Sequence, residues 1–308
     1  MDFSRRKNRH SEPQYFINIS PQQNRQPLKT LYLRPMRGIR ILIAPFFLLL
    51  AGNSAGWAQF GTNNAGARTL AMGNTSLTLT DAYAAANNQA AMAFAEGPAF
   101  GVSALQYFSL SELTSLWGCA VLPAAGGAFG LSVHHDGSQT FRQTQAGVGY
   151  GRKLGENIAV GVQLDLIHTG VTDLGNGNTF TAEAALLYKP SPELSIGARA
   201  YNPFMASAGE DLPGLEISSL LAVGLTYQPA KQFQLSAEGE QTIGYDFNLK
   251  AGAEYRPVEI LAIRGGWMSR SSVLTAGFGI RWQQLFIDLG AQFHPQLGTS
   301  PAIGIHLE

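Results

Sequence analysis

"IAVGVQLDLIH", residues 158–168, alternates along its length: Ile158, Val160, Val162, Leu164 and Leu166 fall on one side, and Ala159, Gly161, Gln163 and Asp165 on the other. Successive strand side chains point to opposite faces, so period 2 is the signature of a half-buried strand. One face is therefore apolar, and the other is small, polar or charged.

The pattern recurs. Phe233, Leu235 and Ala237 alternate with Gln234, Ser236, Glu238 and Glu240. Leu249, Ala251, Ala253 and Tyr255 alternate with Asn248, Lys250, Gly252, Glu254 and Arg256. From Leu285 to Phe293 the small and polar face carries Asp288, Gly290 and Gln292. The whole chain after about residue 97 divides into fourteen such segments: 98–107, 113–122, 126–135, 140–152, 156–168, 178–190, 193–201, 217–229, 231–240, 246–257, 259–268, 272–283, 285–294 and 300–307. In a soluble periplasmic or extracellular β-domain the apolar face would be a core. In an outer-membrane barrel it would face lipid and the polar face would line the interior.

The connections favour the barrel. Those after even-numbered strands are short, such as "PAAG", "KLGE", "PSP" and "WQQL". Those after odd-numbered strands are longer, including "HTGVTDLGNGN" and "YNPFMASAGEDLPGLE". Short turns at one end and long loops at the other are the outer-membrane arrangement. "YKP" at 188, "YQP" at 227 and "YRP" at 255 punctuate three successive strand pairs, since proline cannot continue a ladder. Tyr150, Tyr188, Tyr227, Tyr255 and Trp282 lie near the ends of even strands on the apolar face, where they would form a belt at one membrane interface. The fold expected is all-β, a transmembrane antiparallel barrel over residues 98–308.

The leader agrees. Arg37 and Arg40, an apolar run from Ile41 to Ala51 and small residues up to Ala58 make residues 36–58 a signal peptide, with Gln59 as the first mature residue. Residues 1–35 read as an upstream, disordered extension ahead of a true start at Met36. The location expected is the outer membrane of a Gram-negative cell.

Charge excludes one partner class. Of 21 Lys and Arg, nine lie before residue 59 against Asp2 and Glu12 alone. The remainder carries 12 basic and 19 acidic residues, a net of −7, so no nucleic acid is expected to bind. Cys119 is the single cysteine, which rules out an internal disulfide; it reads as a small apolar strand residue.

No enzyme is expected, nor any cofactor. His134, His135 and Asp136, His168 with Asp173, and His294 all fall toward the long-loop end, but no rigid ligand spacing joins them and no metal is assigned. A nucleophile elbow is absent. The interior face would carry Asp165, Glu183, Glu238, Glu240, Lys250, Glu254, Arg256, Arg264, Arg281 and Asp288. Such charges must be paired or wetted, as a salt-bridge network or a lining that selects solutes.

The stretch before the barrel, residues 59–97, differs in composition from both neighbours. Gly66-Ala67-Arg68, Ala71-Met72-Gly73, Asp81 and an element beginning Asn88-Gln89-Ala90 follow one another in order. This order resembles the start of mature PorV/PorQ-like outer-membrane proteins of the Bacteroidetes type, within the FadL-like group of fourteen-stranded barrels. Gln89 and Ala91 stand where that family has Pro and Gly, and are expected to weaken the turn. The resemblance implies an N-terminal hatch folded into the barrel. It implies either a type IX secretion component that binds machinery subunits or exported proteins, or a FadL-like transporter of hydrophobic small molecules; a purely structural barrel in outer-membrane lipid is the third reading.

Overall fold

The computed structural model describes residues 64–124, 126–207 and 217–308. The extension, the signal peptide and the junction at Gln59 lie outside the described residues.

Fourteen antiparallel strands close on themselves, each paired with its sequence neighbours and β1 with β14. They are β1 (Ala99–Gln106), β2 (Thr114–Ala124), β3 (Gly127–Gly137), β4 (Phe141–Lys153), β5 (Ile158–Val171), β6 (Gly175–Ser191), β7 (Leu194–Tyr201), β8 (Leu220–Ala230), β9 (Phe233–Thr242), β10 (Asn248–Val258), β11 (Leu261–Met268), β12 (Val273–Trp282), β13 (Leu285–His294) and β14 (Gly298–Leu307). Closure removes the unpaired edges that an open sheet would expose. The closing seam runs from Phe100↔Leu307 to Leu105↔Ala302.

Sidedness follows the alternation. Gln163 and Asp165 of β5 are 2% and 1% exposed, whereas Val162 and Leu164 between and beside them are 60% and 70% exposed. The wall thus turns its polar face inward and its aliphatic face outward, the reverse of a soluble domain. An arginine at position 164 should therefore be tolerated badly only in a bilayer: Leu164→Arg is expected to cost about 2–4 kcal/mol of stability in liposomes. Urea titration of the refolded protein checks this, and an unchanged midpoint would mean that this face does not meet lipid.

The connections differ from expectation at the long-loop end. "HTGVTDLGNGN" is mostly strand: β5 and β6 run on to a turn at 172–174, with Asp173 in the left-handed region at φ 67°. β3 and β4 are likewise joined by only residues 138–140, and the widest spacing between consecutive described strands is 202–219, after β7. At the other end, two-residue turns join β6–β7, β8–β9, β10–β11 and β12–β13. The three Tyr-polar-Pro sequences lie just before three of these turns, at register shifts after Tyr188, Tyr227 and Tyr255. Proline is accommodated because a bulge frees its position from the ladder. The residue before each proline donates backbone N–H to the neighbouring turn: Lys189 to Asn157 O, Gln228 to Glu193 O and Arg256 to Gln232 O, at 2.7, 2.7 and 2.8 Å.

Residues 64–98 lie within the ring. Two short helices, α1 (Ala67–Ala71) and α2 (Ala84–Asn87), and a 3-10 turn (Ala91–Phe94) pack on the inner wall to either side of the closing seam: α1 on β12 to β14, α2 on β2 and β3, the 3-10 turn on β3 and β4. Such helices are too short to be stable alone and depend on tertiary packing. Alanine makes that packing close: Ala65, Ala71, Ala82, Ala85, Ala90 and Ala91 have no exposed surface.

Candidate functional site

The wall is shaped for the segment it encloses. Glycines stand on its inner face where the segment's backbone runs: a Cβ on Gly252 would lie 2.2 Å from Met72 O, on Gly266 2.1 Å from Gly73 N, and on Gly151 2.1 Å from Gln89 O. None of these distances is possible for a side chain, so backbone meets backbone. Gly73 itself adopts φ 66° and has Ala251 O at 2.3 Å from where its Cβ would be, so both its conformation and its clearance call for glycine.

Each residue of the two N-terminal triplets makes a specific contact. Gly66 (φ 101°) lies against the Tyr83 ring and donates N–H to Ser103 Oγ at 3.2 Å. Ala67 backs onto Gly304 and Gly290. Thr275 Oγ1 donates to Ala71 O and accepts from Gly73 N–H, both at 2.9 Å, while Met72 is wholly buried. Asn88 Nδ2 donates to Leu77 O, its Oδ1 accepts from Ala90 N–H at 3.0 Å, and the turn is completed by Ala91 N–H to Asn88 O at 2.9 Å. The turn forms with Gln89 and Ala91 in place, and Gln89 Oε1 is buried there without a hydrogen-bond partner. Ala91 has no positive φ that would demand glycine, and Gln89 Nε2 reaches Glu183 Oε2 at 3.0 Å.

Arg68 carries the strongest tie. Its Nε and Nη2 donate to the two carboxylate oxygens of Glu254 at 3.0 and 3.1 Å, and Nη1 to Asp81 Oδ2 at 3.3 Å. A bidentate guanidinium–carboxylate pair fixes orientation as well as charge. Glu254 also receives Arg264 and Arg256, each at 2.6 Å, and Arg264 continues to Asp288 at 2.6 Å. Burial by itself would lower the Arg68 pKa; Glu254 and then Asp81 outweigh it, so the guanidinium stays charged. At the end of the chain, burial and then Asp81 push the Glu308 carboxyl up to about 7.

Further ties run around the ring. Glu238 accepts the backbone N–H groups of Ser76 and Leu77 at 2.5 and 2.7 Å, and Glu240 pairs with Lys250. Tyr83, fully buried, donates its hydroxyl to Val102 O at 2.8 Å, with Ile305 O at 3.2 Å, so it touches both strands of the closing seam. Burial, then Asp81, raise its pKa, keeping the phenol protonated as the donor. Tyr83→Phe is expected to cost about 1 kcal/mol, the ordinary worth of one hydrogen bond. A shift in the urea midpoint checks this; no shift would mean the contact adds nothing at the seam.

The sequence-assigned interior residues are thus placed as follows. Asp165, Glu183, Glu238, Lys250, Glu254, Arg264 and Asp288 are buried on the inner face, and Arg256 joins them through Glu254. Arg281 is exposed at the short-turn mouth, over the Phe286 ring. Tyr188, Tyr227, Tyr255 and Trp282 are exposed on the outer face, and Tyr150 stands beside the outward Phe129, ring centroids 4.9 Å apart. The histidines do not converge. His134 turns inward and stacks on Trp117 at 3.8 Å, His135 and His168 are exposed, and His294 accepts the backbone N–H groups of Gln296 and Leu297. No cluster able to hold a metal occurs among the described residues.

The segment divides the lumen. On the short-turn side lie two cavities of about 530 Å³ each, bordered by Arg68, Arg256 and Glu308. On the long-loop side a smaller cavity of about 60 Å³ is bordered by Asp136, Gln163, Glu183, Arg199, Trp117 and Tyr201. Sequence reading missed this chamber: it took Asp136 for a loop residue and left Arg199 out, although Arg199 alternates in phase with Gly197 and Tyr201.

No protein-family model matches the chain, and no curated protein matches it in sequence. Solved structures do match in fold. The toluene transporter TbuX of Ralstonia pickettii aligns over 80% of this chain and 98% of its own, at 14% identity and a TM-score of 0.62. A TodX monoaromatic hydrocarbon channel variant aligns over the same shares, at 14% identity and 0.64. A Pseudomonas aeruginosa FadL homologue aligns over 82% and 99%, at 14% identity and 0.59. In fold, the chain is a closed fourteen-stranded barrel of the kind that these FadL-like outer-membrane proteins share.

Proposed function

We propose that this barrel passes small, largely hydrophobic molecules across the outer membrane, with the segment 64–98 as the hatch that must shift for passage. The observation that carries the reading is the division of the lumen: a chamber on the long-loop side and two larger cavities on the other, with a segment held by polar ties between them. Leu77 of that segment packs in one apolar cluster with Ile167, Tyr201, Leu220 and Ala222 of the wall and Ile217 of the connection before β8. An apolar patch amid polar groups is the usual composition of a small-molecule site. The fold neighbours are a toluene transporter and a monoaromatic hydrocarbon channel, which agrees with this reading.

The secretion-associated reading has less support. It comes from the triplets at 66–68 and 71–73, and these residues are occupied in docking the segment onto Thr275, Glu254 and the wall glycines. They therefore speak for a hatch and are silent on cargo. Extended loops that would grip an exported protein are also few, since most long-loop connections span only a handful of residues.

Uptake of labelled toluene by a Gram-negative host expressing the chain is the test. Faster uptake than in the same host without it is expected, and equal rates would reject transport. Recovery of secretion-machinery subunits or exported proteins from detergent-solubilised outer membrane would favour the second reading, and neither result would leave a structural barrel.

A further inference from the structure

We infer that the long-loop chamber is a subsite for a hydrogen-bond-donating, cationic head group, a primary ammonium above all, and that it discriminates against carboxylates. Two side chains on its border are nearly fully buried and have an acceptor without a partner: Asp136 (5% exposed) at Oδ1 and Gln163 (2% exposed) at Oε1. Behind Gln163, whose Nε2 donates to Asp165 Oδ1 at 2.8 Å, stands a further buried carboxyl group, Asp165. Buried acceptors left unpaired are costly, and a group that brings donors relieves that cost.

Charge points the same way. Asp136 and Glu183 border the chamber, Asp165 stands behind Gln163, and among the described residues Arg199 is the one Lys or Arg on the border. That arginine is already engaged by Glu183 Oε2 at 2.7 Å. An anion entering here would meet surplus carboxylate at low dielectric. An ammonium would meet acceptors, and Trp117, stacked on His134, offers an aromatic ring close by for a cation.

Size restricts the guest. A water needs roughly 10–15 Å³ of such space, so about 60 Å³ takes a head group of a few heavy atoms and not a whole aromatic molecule. The apolar remainder would lie against Tyr201, Ile217 and Leu220 on the other border of the chamber. The biological meaning of the subsite depends on the transport reading, because it names the kind of amphiphile transported; binding itself does not.

The test uses the purified full-length barrel in detergent, with n-butylamine, n-butanol and butyrate as probes and tryptophan fluorescence and calorimetry as readouts. Saturable binding of butylamine at least about tenfold tighter than butyrate is expected. Asp136→Asn preserves shape and removes the charge. It should weaken butylamine by about tenfold and leave butanol within about twofold. Asp165→Asn, checked for barrel integrity by heat-modifiable migration, should act in the same direction. Butyrate binding as well as butylamine, absence of saturable amine binding, or indifference of the amine to both variants would each overturn the subsite. Loss of toluene uptake in cells with Asp136-dependent amine binding intact would instead overturn transport alone.

Discussion

Glu254→Ala is expected to destabilise the barrel by about 3–5 kcal/mol, the cost of removing one partner from a buried ion pair. Three guanidinium groups converge on this carboxylate, Arg68 from the hatch and Arg256 and Arg264 from the wall. Arg264 would retain Asp288 and Arg68 would retain Asp81, so neither is abandoned, but Arg256 would face two like charges without its acceptor. The hatch would lose its bidentate tie to β10. Two measurements follow: a lower urea midpoint in liposomes, and current fluctuations in planar bilayers that the unaltered protein lacks. Glu254→Gln keeps an acceptor and should fall between the two. A midpoint change below about 1 kcal/mol, the ordinary value of an exposed pair, would mean that water screens the cluster and that it does not hold the hatch.

Removal of residues 64–94, with the leader and β1 intact, should convert the barrel into an open pore. An eight-stranded barrel fills itself with side chains, whereas wider ones leave an aqueous channel, so sugar permeation in a liposome-swelling assay should rise about tenfold or more. Unchanged permeation would show that inner-wall side chains alone close the lumen. Gly266→Val offers a control that deletes nothing: its side chain would occupy the space of Gly73 N, so the hatch would be present but undocked. It should leak as the deletion does, to a smaller extent.

Much of the wall could be read from sequence because its environment is simple. Lipid on one side and polar lumen on the other impose a two-residue period, so Val162 and Leu164 against Gln163 and Asp165 declare their sides without knowledge of any partner. Loop lengths were less legible. "HTGVTDLGNGN" is rich in turn residues, yet most of it continues the β5–β6 ladder, since hairpin extension outweighs local propensity where the partner strand is already in register.

The interior was legible by composition and not by pairing. Small residues on the inner face could be seen, but Gly252 and Gly266 are small because Met72 and Gly73 pass within backbone contact, a relation between positions nearly 200 residues apart. Distance along the chain also hid Arg68 with Glu254, 186 residues apart, and Gln89 with Glu183, 94 residues apart. Asp136 was misplaced for a different reason: β3 extends to Gly137, further than its apolar pattern suggests, and carries the aspartate inside the ring.

The seam contact of Tyr83 bears on how the barrel is made. β1 and β14 are the paired strands furthest apart in sequence, and joining chain segments so distant carries the largest loop-closure cost in the molecule. Tyr83 is only 19 residues from Val102 but 222 from Ile305. The hatch is therefore next to the first strand from the outset and offers the last strand a surface to land on. Docking of the proposed hatch and shutting of the wall thus share one side chain, and the segment proposed to close the pore is also a surface against which its seam is joined.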